Sequence, residues 1–428
     1  MRFTLAMGTQ REQPQSTTRA IRVVQAAWGG FTHPVALARH LDRRAMLEAI
    51  FTTYPWWMMK KEGLERGRVH CRWRMTVVYK GLLHYGVGLG PLERPWLRAT
   101  ARDYTRWLAR HLPACDVLIA MSGLGQAAGK LAQERGARYI CDRSSSHIRY
   151  ADNLLREEFG RWRIPYAGDD PVNVDAEERE YQQADLITVP SGFALRSFVT
   201  MGVAAEKLRR ASQGVDLSRF HKVADPPPEE FRVLFVGQLC LRKGVPYLLE
   251  AFRRLRHPRK RLLLAGRTMP DFKQWMAGRP TEHATFLGHV PKSELPRCMS
   301  TSHVHVFPSI EDGFGIVQAE ALACGCPLIS SANTGAADLF THGQEGFVVP
   351  IRDAQAITDR LEELAQNPQL RQRMSEAALR RVAALGGWDT YCATVETIIR
   401  QLVEACPTPP APAPQDANAS WTGQSWRS

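Results

Sequence analysis

The chain has 428 residues, 44% hydrophobic and 23% charged, with 56 Lys and Arg against 43 Asp and Glu for a formal net charge of +13. That length exceeds what one core usually serves, which implies two domains, and no apolar run approaches the roughly 18 residues needed to span a bilayer. The positive balance calls for an anionic partner; with no zinc-finger, RRM-like or basic-zipper pattern, phosphorylated small molecules and anionic lipid headgroups stand ahead of nucleic acid.

Residues 1–19 are polar and lack the apolar stretch of a secretory signal, so they are expected to be disordered and the chain cytoplasmic. A strand is predicted over Ala20–Ala27, followed by "AAWGGFTHP". Its paired Gly29 and Gly30 either bring backbone close to a ligand at the head of a helix or simply make a turn. The basic stretch Lys60–Lys80 is either a solvated face or a patch that meets an anionic membrane. Further strands are predicted at Asp116–Ser122, Ala137–Arg143 and Ala184–Ser191. The second of these runs into "ICDRSSSHI", which gathers Asp142, Arg143, three serines and His147 at a strand's carboxyl end. His147 is the candidate for action near a reaction centre, Asp142 its competitor, and Asp142 and Arg143 are candidate acceptor-side residues.

The prolines of "ADPPPEE" forbid helix, so residues 224–230 are read as a linker between domains at 20–223 and 231–387. Beyond it strands are predicted at Arg232–Gly237, Arg261–Gly266, Ala284–Val290, Val304–Ser309, Cys326–Ser331 and Gly346–Pro350. Apolar strands separated by helix-length segments signify parallel sheets covered on both faces, hence an α/β fold, twice. The Pro/Ala-rich tail, 407–428, is expected to be disordered.

Two stretches of the second half carry chemistry. In "VLFVGQLCLRKGVPYLLEAF" a strand ends at Gly237, a loop holds Arg242 and Lys243, and Pro246 marks a helix start. This is an anion site at the sheet's carboxyl edge or a plain basic loop; the usual dinucleotide and ATP fingerprints are missing. In "SIEDGFGIVQAEALACGCPLI" a glycine-bearing loop enters a helix of about three turns. The amides of Gly313, Phe314 and Gly315 would face a ligand anion there. Glu320, among apolar neighbours, is either a solvated helix position or a carboxylate awaiting sugar or ribose hydroxyls. Asp312 stands about 80° from Glu320 on a helix that starts early and Glu311 about 180°, which pairs Asp312 with Glu320 and sets Glu311 aside as a rim residue. The C-x-C of Cys324 and Cys326 supplies two ligands where a structural zinc wants four, so it reads as packing, and the nine cysteines read as reduced thiols.

These motifs, with "TFLGHVPKSELPRCM" and "TGAADLFTHGQEGFVVPIRD", resemble retaining glycosyltransferases of the GT-B fold, family 4, over residues 20 to 405 or so. The resemblance implies two Rossmann-like domains facing a cleft, with the acceptor on the first and the nucleotide-sugar on the second. It also implies that a last helix, here 388–406, crosses back to the first domain. It implies that Glu320 binds ribose hydroxyls, that Asp312 binds the transferred sugar, and that the amides of Gly313 to Gly315 meet sugar and diphosphate. Lys243 and Arg242 are then the diphosphate clamp, with Gly237 beneath it, and Gly29 and Gly30 close on the phosphates from across the cleft. A UDP- or GDP-linked donor is expected, with a sugar or lipid-linked precursor as acceptor, reached in the cytoplasm or at the inner face of the membrane. The transfer needs no cofactor, no metal and no protein nucleophile. Two departures stand out: Gln238 replaces a usual Arg, and Asp312 replaces a usual Glu. A non-catalytic nucleotide-sugar binder, or a phosphorylase or hydrolase on the same fold, are the alternatives.

Overall fold

The structure, a computed structural model, describes residues 20–29, 32–84, 89–281 and 283–405. Gly30, the segment 1–19 and the tail 407–428 therefore lie outside the described residues.

Seven strands build the first sheet: β1 (Val23–Ala27), β2 (Leu47–Thr52), β3 (Val69–Cys71), β4 (Val117–Met121), β5 (Arg138–Asp142), β6 (Leu186–Val189) and β7 (Leu208–Arg210), in the order β3-β2-β1-β4-β5-β6-β7. Six build the second: β8 (Phe231–Val236), β9 (Lys260–Ala265), β10 (Ala284–Gly288), β11 (Val304–Phe307), β12 (Leu328–Ser331) and β13 (Gly346–Val349), in the order β10-β9-β8-β11-β12-β13. Every pairing in both sheets is parallel. Each sheet reverses its winding once, between β1 and β4 and between β8 and β11, and such reversals open a crevice at the strands' carboxyl ends where ligands bind.

All six second-sheet strands fall in segments that the sequence predicts. In the first sheet β2, β3 and β7 do not. β2 opens with Leu-Glu-Ala, a helix-forming triplet, while β3 and β7 are three-residue edge strands with basic residues, too short to alternate. The centres are buried on both faces: β1, β6, β11 and β12 are buried throughout.

Helices cover the sheets. Thr32–Arg43 and the last helix, Trp388–Glu404, lie on the same face of the first sheet, where Tyr391, Val395 and Ile399 join Leu37, Leu41 and Ile50 in one buried cluster. The spacing of Tyr391, Val395, Ile398 and Ile399 is one apolar helical stripe, and each such side chain contributes about 1.5–3 kcal/mol on burial. The last helix thus belongs to the first sheet although the chain reaches it after the second. The chain crosses first through residues 222–230, which hold the three prolines and form neither helix nor strand. It returns beside Gly387, which bridges to Val215. A Cβ on Gly214 would lie 2.4 Å from the Gly387 carbonyl oxygen, so this double crossing requires glycine. A further tie is the helix Ile148–Trp162 of the first domain: Leu154, Phe159 and Trp162 pack against the core cluster of the second.

Candidate active site

β8 ends at Gly237 and the chain turns through Leu241–Lys243 into the helix Val245–Arg254, which carries Pro246 in its first turn. Gly244 sits at φ 65°, and a Cβ there would lie 1.9 Å from the Pro308 carbonyl oxygen, so the β8 and β11 loops pack as closely as backbone allows. That contact delivers Lys243 to the loop after β11. Its ammonium pairs with the Asp312 carboxylate and lies 5.0 Å from the Phe307 ring centre. Arg242 Nη1 donates to the Glu311 carbonyl at 3.1 Å and reaches the Glu311 carboxylate at 3.4 Å.

The loop between β11 and the next helix is pinned at both ends. Ile310 N–H donates to the Arg242 carbonyl at 2.9 Å and Asp312 N–H to the Asn333 carbonyl at 3.0 Å. Phe314 N–H donates to Asp312 Oδ1 at 3.3 Å, which engages one of the three amides expected to be free. Gly315, at φ 72°, turns the chain into the helix Ile316–Ala323, eight residues and so shorter than the three turns expected. The helix ends as Gly325 adopts φ 69° and Cys326 N–H closes back on the Ala321 carbonyl at 3.0 Å. Cys324 and Cys326 are buried in that turn; burial pushes the Cys324 thiol up to about 12 and the Cys326 thiol well above its ordinary value, so both are inert packing groups.

Electrostatics separate the two carboxylates of the motif. Burial pushes the Asp312 carboxyl up, but Lys243, then Arg242, outweigh it and hold it below its ordinary value. Glu320 has no such partner at contact distance: burial raises it to about 7, against the weaker pull of Lys292 and Arg219. Glu320 lines a cleft of about 860 Å³ whose other walls are Arg219 and Lys292, Tyr54 and Trp57 of the first domain, and Trp388 of the last helix. Asp312 and Glu320 therefore lie on the same strand–loop–helix unit without touching, each in its own charged surroundings.

Glu311 is the correction. Expected at the rim, it is 3% exposed and points into the first domain, where Oε1 accepts from the Ser145 and Ser146 hydroxyls, each at 2.8 Å. Helical-wheel spacing misplaced it because residues 311–315 are not helical; the helix begins only at Ile316.

In the first domain, Gly29 has φ 68° and its N–H donates to Thr53 Oγ1 at 2.8 Å, so this amide is engaged within the domain. Asp142 accepts from Thr188 Oγ1 at 2.8 Å and meets His33 Nε2 at 3.1 Å. His33 went unremarked in the sequence; its only signal is its place at the head of the helix that follows β1. Arg143 is held by Glu177 at 2.6 Å, Ser122 at 3.1 Å and the Ser146 carbonyl at 3.0 Å. His147 is a second correction: it is 2% exposed, its ring set edge-on against Tyr181 and Phe198, and burial lowers its pKa to about 4. A neutral imidazole enclosed by aromatic rings belongs to the domain core, not to the cleft.

Residues 218–381, which contain every second-domain residue above, match the family described as "Glycosyl transferases group 1". A glycogen synthase of Mycobacterium tuberculosis is 31% identical over 188 residues, 41% of this chain and 44% of that protein, so the match spans less than half of the relative. A D-inositol 3-phosphate glycosyltransferase of Kribbella flavida is 26% identical over 312 residues, 68% of this chain and 72% of its own length. Among solved structures, the sucrose-phosphate synthase of Thermosynechococcus elongatus superposes with a TM-score of 0.65 at 20% identity, covering 90% of this chain and 100% of that one. HepE of Anabaena in complex with UDP-glucose gives 0.60 at 16% identity, covering 88% and 99%. The fold is GT-B: two Rossmann-like parallel-sheet domains.

Proposed function

We propose that the protein transfers a sugar from a nucleoside diphosphate sugar to an acceptor with retention at the anomeric carbon. The observation that carries this reading is the Lys243–Asp312–Arg242 cluster, set where β8 and β11 part and beside the start of the helix Ile316–Ala323. Two cations and a helix N-terminus at a sheet reversal suit a diphosphate. A neighbour in fold, HepE, was solved with UDP-glucose.

In this reading the diphosphate draws Lys243 and Arg242 onto its oxygens, and Asp312, released from Lys243, accepts from hydroxyls of the transferred sugar. Gly313 and Gly315, whose amides donate to no other group among the described residues, face the same anion. Glu320 accepts from ribose hydroxyls. As the anomeric C–O bond to the diphosphate breaks, charge grows on the leaving oxygen, where Lys243 and Arg242 stabilise it. That oxygen takes the acceptor hydroxyl's proton while the acceptor oxygen bonds the anomeric carbon on the same face, which yields retention without a protein nucleophile. Gln238 adds no charge, so Arg242 supplies the second cation.

The acceptor side is read as the first domain, and the acceptor as a sugar or lipid-linked precursor at the inner face of the membrane. Exposed Trp57, Met58, Val77 and Val78 beside Lys60, Lys61 and Lys80 support contact with an anionic bilayer. No helix among the described residues is long and apolar enough to cross one.

The test is donor consumption by the wild type and by Lys243→Ala, with NMR of the new glycosidic bond. The reading expects retention and a loss of about 10²–10³-fold in kcat for Lys243→Ala. An inverted product, or a variant at the wild-type rate, overturns it. Binding of UDP or GDP without turnover of any sugar donor would instead favour a non-catalytic binder.

A further inference from the structure

The cluster of serines after β5 reads from sequence as a nest for a ligand, yet the group that fills it is Glu311 from the other domain. Both serine hydroxyls donate to Oε1 at 2.8 Å, and Ser146 N–H reaches the same atom at 3.4 Å. Ser146 and Glu311 are both buried, so this carboxylate has exchanged water for the first domain's donors. Two flanking contacts seat the same loop: Gly313, where a Cβ would lie 2.4 Å from the Ser144 carbonyl oxygen, and the Ser191 hydroxyl, which donates to the Gly313 carbonyl at 2.5 Å. The second oxygen of Glu311 faces Arg242 at 3.4 Å.

We propose that Glu311 is a positioning residue which couples domain closure to the placement of Arg242, the Ser145–Ser146–Glu311–Arg242 chain forming only when the domains meet. This rests on the donor reading above for Arg242's role. The physical reasoning is direct. With the domains apart, the Glu311 carboxylate would return to water and Arg242 would keep only its bond to the Glu311 carbonyl, losing the fixed carboxylate that orients its guanidinium beside Asp312 and Lys243. With the domains together, the serines fix Glu311, Glu311 and its own carbonyl fix Arg242, and the clamp is set before a diphosphate arrives. Preorganised charge of this kind acts on the transition state more than on ground-state binding.

The experiment has two arms. Kinetically, Glu311→Ala and the pair Ser145→Ala/Ser146→Ala should each lower kcat on the order of tenfold or more with donor KM changed less than about threefold. The triple variant should be no worse than Glu311→Ala, because groups in one chain are not additive. Glu311→Gln, which still accepts from the serines but turns an amide NH2 toward Arg242, should lower kcat about as far as Glu311→Ala does, and a wild-type kcat in it would overturn the link to Arg242. Glu311→Ala at the wild-type kcat, or effects of the two changes that multiply, would overturn the proposal. The second arm needs no turnover and is independent of what the protein transfers. Hydrogen exchange of residues 144–146 should rise in Glu311→Ala and stay near wild type in Glu311→Gln; unchanged exchange in Glu311→Ala overturns the lock even if the donor reading stands. If no sugar donor is consumed by the wild type while exchange responds as expected, the donor reading fails and the lock survives.

Discussion

The carboxyl edges of the two sheets are built from similar ingredients and organised differently. In the second domain, Gly237 to Pro246 and Pro308 to Glu320 are contiguous strand–loop–helix segments, and their charges meet one another directly, Lys243 on Asp312 and Arg242 on Glu311. In the first domain, Asp142 and Arg143 are absorbed by the fold, Asp142 by Thr188 and His33 and Arg143 by Glu177, while His147 is packed among aromatic rings with its Nδ1 buried and unpartnered. The lesson is that polar residues at a strand's end mark a ligand site only where their hydrogen-bonding capacity is left over after the fold has been satisfied. By that criterion Glu320 and the amides of Gly313 and Gly315 are the capacity left over at the second-domain edge among the described residues, while much of the first-domain edge is scaffold that receives Glu311.

This contrast can be broken at three points, in order of effect. Asp312→Ala removes a buried carboxylate paired with Lys243, and donor consumption should fall by about 10²-fold or more, as for loss of one preorganised electrostatic group. A rate within twofold of wild type would place Asp312 with the scaffold. Glu320 gives a smaller, pH-dependent effect. Its carboxyl titrates at about 7, and hydroxyl donors favour the ionised form, so nucleotide affinity should rise with pH up to about 7 and level off above it. Calorimetry should show on the order of tenfold tighter binding at pH 7.5 than at pH 5.5, and no such slope in Glu320→Gln. An equal slope in both proteins would assign the proton elsewhere.

The smallest effect is expected at His147. His147→Phe should leave kcat within about twofold, since its ring touches no proposed ligand, and should change the acid profile of stability instead. Its folded pKa of about 4 lies below the ordinary value, so the unfolded chain binds the extra proton first and wild-type stability declines as pH falls from about 6.5 toward 4. The variant should lose less stability over that window in thermal unfolding. A collapse of kcat with an unchanged acid profile would restore His147 to the reaction centre.

The sequence made the second domain legible because its signals are local. Strand, glycine, cation and helix start follow one another within about a dozen residues, and near-continuous apolar runs exposed all six strands there. The first domain was legible only at β1, β4, β5 and β6, and not at β2, its longest strand. Its functional partners are remote in the chain: His33 and Asp142 are 109 residues apart, and Glu311 lies 166 from Ser145. No periodicity reports such pairs, and a helical wheel failed at Glu311 because Gly315 delays the helix. The family resemblance placed Asp312 and Lys243 on one donor, but their direct pairing, 69 residues apart in the chain, emerges only from the structure.

The central claim is that the Lys243–Arg242–Asp312 cluster holds the diphosphate of a nucleotide donor. Calorimetric titration of UDP and GDP into the wild type and Lys243→Ala tests it most directly. Saturable binding of at least one nucleotide to the wild type is expected, with binding at least about 30-fold weaker, some 2 kcal/mol, to the variant. Equal affinity in the two proteins, or no binding of either nucleotide to the wild type, would contradict it.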